Sequence, residues 1–188
     1  MDSSARCPGT PGTIATPGTI GVPDPGLIAG WFAELGLDAF ETSEREGTTS
    51  WDFRLDGRRR FDVRVTVILD PGSGVFVWVP LAPPLNDNLR KSYKRLLQWN
   101  DEYPFVKFGL ATDDRPVVTA EIPSDRLQRD ELGLAVARLL TICDLLLDET
   151  ASWIWIGGRL PDDWEGRVGR QVGLLARYAD QLGELAAR

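Results

Sequence analysis

An α+β fold built on a five-stranded antiparallel sheet, with helices packed against it, is what this sequence predicts. Three observations carry that expectation. Residues 51–79 hold three runs of alternating apolar and polar side chains separated by turn residues. Residues 105–122 hold two more around Asp113-Asp114-Arg115-Pro116. Apolar residues at helical spacing flank these runs near 27–35, 85–97 and 132–147. Short connections join antiparallel neighbours, and a period of two marks strands with one buried face.

The first 23 residues repeat Pro8-Gly9-Thr10, Pro11-Gly12-Thr13 and Pro17-Gly18-Thr19. So few large apolar side chains cannot fill a core, which predicts a disordered tail over 1–23, with a docking peptide or tether as its alternative role. The folded domain is expected over 24–150. It begins with a short helix, in which Leu27, Ile28, Trp31, Phe32 and Leu35 recur three or four apart and Gly36 supplies the stop.

Trp51, Phe53 and Leu55 predict the first strand. Phe61, Val63, Val65 and Val67 predict the second, after a hairpin turn at Asp56-Gly57. Val75-Phe76-Val77-Trp78-Val79 follows the turn 70–74 and is apolar on both faces. Something is therefore expected to cover its second side. A helix over 85–101 places Leu85, Leu89, Tyr93, Leu96 and Leu97 on one side and basic residues on the other. After the hairpin, Ser124 or Asp125 is placed to cap a helix over 127–148. Its wide apolar face is Leu132, Val136, Leu139, Leu140, Cys143, Leu146 and Leu147.

Residues 151–188 read as a C-terminal extension. Trp153-Ile154-Trp155-Ile156 is an extra strand or an irregular segment. If it is extended, both tryptophans face one way. A final helix is expected from about 161, although Gly166, Gly169, Gly173 and Gly183 each weaken it by roughly 1 kcal/mol relative to alanine.

Little in the composition points to chemistry. The 188 residues contain no histidine and two cysteines. Cys7 lies in the tail and Cys143 on an apolar face, so neither a disulfide framework nor a zinc site is expected, and the thiol usage suits a cytoplasmic protein. The paired acids Asp101-Glu102, Asp113-Asp114 and Asp162-Asp163 read as turn or capping residues. Ser73 lacks a histidine to serve as its base, and Lys107 reads as the wet side of a strand. No catalytic residue, metal or cofactor is assigned. A net charge of −7 argues against nucleic acid, and the three arginines 58–60 read as solvated turn charges. No secretory signal is visible, and the apolar helix holding Arg138 and Asp144 is unsuited to span a membrane.

The run Leu96-Leu97-Gln98-Trp99-Asn100-Asp101-Glu102-Tyr103-Pro104-Phe105-Val106-Lys107-Phe108, with Val117-Val118-Thr119-Ala120-Glu121-Ile122-Pro123, resembles the YbjN family over residues 25–148. That family has a fold similar to the class I type III secretion chaperones. The resemblance implies a non-enzymatic, dimeric protein-binding or chaperone-like regulatory module, and carries over no site residue. Seven tryptophans support a surface left to cover, hence a homodimer. The residues expected to bind a partner protein segment are Trp153, Trp155, Leu89, Tyr93 and Leu96. The alternative function is a small-molecule-sensing regulatory domain.

Overall fold

The computed structural model describes residues 24–85 and 90–186. The expectations for the tail, including Cys7, and for Leu89 lie outside the described residues. The α+β class is as expected, but the sheet has six strands. They are β1 (Glu41–Arg45), β2 (Thr48–Leu55), β3 (Val63–Asp70), β4 (Gly74–Pro80), β5 (Lys107–Leu110) and β6 (Pro116–Pro123). Their order is β1-β2-β3-β4-β6-β5, and every neighbouring pair is antiparallel. The extra strand is β1. Its sequence, Glu-Thr-Ser-Glu-Arg, has no apolar alternation because it lies at an edge with four of its five residues exposed.

The helices are α1 (Pro25–Glu34), α2 (Arg90–Glu102), α3 (Arg129–Leu145), α4 (Leu147–Ile154), α5 (Val172–Arg177) and α6 (Ala179–Ala186). Asp24 caps α1 by accepting from the Leu27 N–H at 3.3 Å, and Pro25 occupies the first turn, where no N–H is needed. In α1, Phe32 meets Trp51 and Phe53 edge-on at 5.2 and 4.9 Å. The helix expected over 127–148 breaks at Leu146: of the seven residues of its apolar face, five lie on α3, Leu146 caps it and Leu147 begins α4, and all seven are at most 1% exposed. All but Leu147 share one core cluster with Phe53, Val65, Val67, Val77 and Val118 from one face of the sheet. The helix starts after Gln128, and Ser124 lies instead in a single tight turn, Ser124–Arg126.

Two expectations about helices change. Leu97 does not share the inner side of α2: it is 71% exposed, while Leu96 is buried. The final helix is broken. Gly166 has a φ of +73°, which ends any helix there, and Gly169 lies against the Gly57 carbonyl where a methyl group would collide. Helix resumes only at Val172, and Val168 is exposed. The two short helices α5 and α6 then pack on α3 through Leu174, Leu175, Tyr178, Leu182 and Leu185, all buried. Gly133 on α3 provides the notch in which the Tyr178 ring sits.

Candidate partner-binding surfaces

The linking phrase between α2 and β5 is a clamp. Asn100 on α2 accepts from the Phe108 N–H at 2.8 Å and donates through its side chain to the Phe108 carbonyl at 3.0 Å. This pair of bonds mimics a neighbouring strand and fixes β5 against α2. Trp99 is fully buried, with Phe108 at 5.3 Å and Trp153 at 5.6 Å between ring centres. Arg95 lies 5.4 Å from the Trp99 ring centre and also bonds Glu149 and Glu102 at 2.6 Å each. Together these contacts join α2 to α4.

The four described residues among those expected to bind a partner, Trp153, Trp155, Tyr93 and Leu96, do not form one surface. Trp153 lies on helical backbone and leans on Trp99 inside the domain. Trp155 is the extended residue that follows the helix, and it meets Trp164 edge-on at 5.2 Å. The segment is helical through Ile154 rather than an extra strand or an irregular segment, so the condition under which both rings would face one way is not met. Leu96 is 4% exposed and Tyr93 packs against the core.

In the arginine run at 58–60, Arg58 and Arg59 are exposed, as expected of solvated turn charges, but Arg60 is buried and the backbone of the turn is tied down. Residues 56–62 form a seven-residue loop stapled by two carboxylates. Asp144 of α3, 7% exposed, accepts from the backbone N–H groups of Arg58, Arg59 and Arg60 at 2.6, 2.9 and 2.7 Å. Gly57 is required there, because a methyl group would strike that carboxylate. Arg60 is 8% exposed and donates to the Leu81 carbonyl at 2.9 Å. Phe61, expected at the start of a strand, is buried in the loop against Trp164.

Asp56 is fully buried. It accepts from Arg170 at 2.8 and 2.9 Å and from the Asp62 N–H at 2.9 Å, while its own N–H donates to Gln171 at 2.6 Å. Burial alone raises a carboxyl pKa. Here the Arg170 side chain, the two backbone N–H groups and the Arg170 charge outweigh burial, and hold Asp56 far below its ordinary 3.8. A depressed folded pKa stabilises the protein above the ordinary value, and that stability disappears as pH falls toward the folded one. Urea unfolding between about pH 5 and pH 2 is therefore expected to show stability falling in wild type. The fall should be clearly shallower in Asp56→Asn. Equal slopes would remove the assignment.

Cys143 behaves as a core residue, fully buried, with burial pushing its thiol up to about 11. Lys107 is exposed and paired with Glu121 at 2.8 Å. Ser73 donates its N–H to Asp70 in a plain turn. Among the described residues no group of three or more acidic or cysteine side chains is placed to hold a metal ion, and no helix is long and apolar enough to cross a membrane.

Three surfaces remain open. The second face of the sheet presents Ile68, Phe76, Trp78 and Pro80, all half-buried. Ile68 stands opposite Phe76 in the register, so the apolar strip is continuous across β3 and β4. The contacts to the sheet named above, from α1, α2 and α3, fall on the opposite face.

The second surface is an edge. β5 pairs with β6 only from Pro116 to Thr119, so Ala120–Pro123 has no strand beyond it among the described residues. A groove of about 290 Å³ runs beside this edge, with Ala120, Ile122 and Ala135 in its wall and Phe105 and Arg138 at its mouth. Phe105 is 76% exposed with a φ of +64°, a conformation costly for a bulky residue. The Arg138 guanidinium lies 5.0 Å from its ring centre. Burial lowers the Arg138 pKa, and the Glu131 charge offsets part of that shift. Sequence reasoning missed this site because nothing local signals a phenylalanine at positive φ.

The third surface is a groove of about 460 Å³ between the sheet and the Trp155–Trp164 pair.

No curated protein matches the chain. Residues 24–151 match the model of the YbjN family, described as "Putative bacterial sensory transduction regulator". That match covers the sheet and α1 to most of α4, and leaves the loops and helices after 151 outside it. The chain belongs to the YbjN family.

Proposed function

We propose that this protein is a non-enzymatic regulatory module of the cytoplasm that holds an extended segment of a partner protein along the free edge of β6. The observation that carries this reading is the mismatch in length between β5 and β6. A strand left unpaired offers backbone N–H and C=O groups to an incoming segment, and adjacent apolar pockets select its side chains. The outer edges suit strand addition less well. β1 is five residues long and carries exposed Glu41, Glu44 and Arg45, and β5 is only four residues long. The aromatic anchor in this reading is Phe105 rather than Trp153.

The test uses a photo-crosslinking residue at Glu121 in the full chain, exposed to extract of the source cells. A crosslinked partner peptide is expected, and its yield should fall at least about fivefold in Phe105→Gly with Arg138→Ala. Phe105→Gly by itself should be neutral or stabilising by about 1 kcal/mol, because glycine accepts the positive φ. Crosslinking that is indifferent to both residues would place the partner elsewhere.

The same reading takes the working unit as a homodimer joined through the open sheet face, supported by the half-buried Phe76 and Trp78. Light scattering at micromolar concentration should give a dimer for wild type and a monomer for Phe76→Ser with Trp78→Ser. The double change should leave a cooperative fold, since neither ring belongs to the main core. A wild-type monomer would end this part of the proposal.

A small-molecule sensor is the second reading. It is favoured by a cavity of about 320 Å³ between Arg58, Arg59, Thr141 and Leu182. A metabolite that raises the melting temperature of wild type, but not of Thr141→Leu, would support it.

A further inference from the structure

The groove beside Trp155 and Trp164 has a composition of its own. The rings of Trp155, Trp164 and Phe61 stand nearly perpendicular in sequence, at 88° and 83°, and form an aromatic angle rather than a flat patch. Pro80, Pro83 and Pro84 line the facing wall. Two arginines of this lining each bury one guanidinium donor, Arg60 Nη1 and Arg115 Nε, with no hydrogen-bond acceptor among the described residues. Arg60 is more than nine-tenths buried. A buried donor without an acceptor is costly, and it points to a ligand that brings one.

Aromatic walls and unpaired donors suit one kind of chain in particular. A polyproline II segment makes no internal hydrogen bonds, so its carbonyls are free to accept, and its prolyl rings pack between aromatic side chains. With three residues per turn and a rise of about 3.1 Å per residue, prolines three apart share one face, about 9 Å from each other. The sequence spaces prolines as such a segment would. Pro8-Gly9-Thr10-Pro11 places two prolines at that spacing within the 23 residues that precede the described structure.

We propose that the Trp155–Trp164 groove is a docking site for the chain's own proline-rich segment around Pro8 and Pro11. Twelve residues separate Pro11 from Asp24. As a coil, a linker of that length spans roughly 20 Å on average, and up to about 40 Å when extended. A domain of this size has a radius of gyration near 15 Å, so the extended linker reaches about two thirds of the way around its surface. Tethering gives an effective concentration of about a millimolar, so a segment with millimolar intrinsic affinity fills the groove about half the time. The docked segment covers the groove that shares Pro80 and Arg64 with the open face of the sheet. This inference does not depend on the β6-edge reading, whose crosslink reports on a different surface.

The thiols make the test clean in the full chain. Cys143 is fully buried with its thiol pushed up to about 11, so a nitroxide reagent goes to Cys7. The seven tryptophans give seven indole N–H signals to follow by NMR, each assigned from a Trp→Phe variant. The Trp155 and Trp164 signals are expected to broaden at least about twofold more than those of Trp31 and Trp51. The broadening should not change on tenfold dilution, and it should disappear in Pro8→Ala with Pro11→Ala. Uniform broadening, or broadening that survives the proline changes, overturns the proposal. Broadening lost on dilution assigns the groove to the segment of a second copy and overturns docking within one chain.

Discussion

Replacing Trp99 by alanine is expected to cost about 3–5 kcal/mol of stability, the range for emptying a fully buried tryptophan site. Trp99 is 0% exposed and touches a strand through Phe108, a second helix through Trp153 and the aliphatic–cationic arm of Arg95. The void would sit between three elements that move little, so collapse would recover little of the loss. Its indole N–H has no acceptor among the described residues, so phenylalanine removes a buried donor together with part of the ring. Trp99→Phe should therefore lose less than about half as much. Urea unfolding of the full chain measures both. If Trp99→Phe cost as much as Trp99→Ala, ring volume would not be what the site requires.

Asp144→Ala is expected to cost about 3–5 kcal/mol, for a different reason. One carboxylate satisfies three consecutive backbone donors. Hydrogen bonds to a charged acceptor contribute about 1.5–3 kcal/mol each, although the three are not additive. Alanine would leave three N–H groups without their acceptor, that of Arg60 on a buried residue. Asp144→Asn retains one oxygen, which can keep the Arg59 and Arg60 N–H groups, but turns an amide N–H₂ toward the Arg58 N–H. Its cost should fall between zero and the alanine value. An alanine variant within 1 kcal/mol of wild type would show that the loop is held by its side chains instead.

Patterning made most of the sheet and the apolar face of α3 legible, because both obey strict periods of two and 3.6. β1 was invisible because an edge strand with no buried face carries no alternation. The backbone role of the run Arg58-Arg59-Arg60, and the burial of Arg60, were missed for a related reason. The run's backbone, not its charge, is what the structure uses, and the acceptor lies 84 to 86 residues away on α3. The backbone around Trp153 was read as a strand or an irregular segment because α4 continues the apolar run of α3 past a break at Leu146, and the segment is helical up to Ile154. Among the candidate surfaces, the open face of β4 could be read from its double-sided apolar sequence. The groove at Phe105 arises from a left-handed backbone and from a strand that outlasts its neighbour, and neither leaves a trace in composition.

The distance along the chain between Asp56 and its partners sets an order of events during synthesis. The Asp56 N–H waits for Gln171, 115 residues later, and its carboxylate waits for Arg170. A ribosome that has released residues 24–151 has therefore delivered every strand of the sheet, yet it has also delivered a carboxylate that cannot close into its native site without stranding a charge. The notch at Gly133 is likewise vacant until Tyr178 arrives. Asp144 can already hold residues 58–60 at that stage, so it is the Asp56 end of the loop that stays wet until residues 170 and 171 emerge. A segment outside the family match thus completes a site whose first half lies inside it.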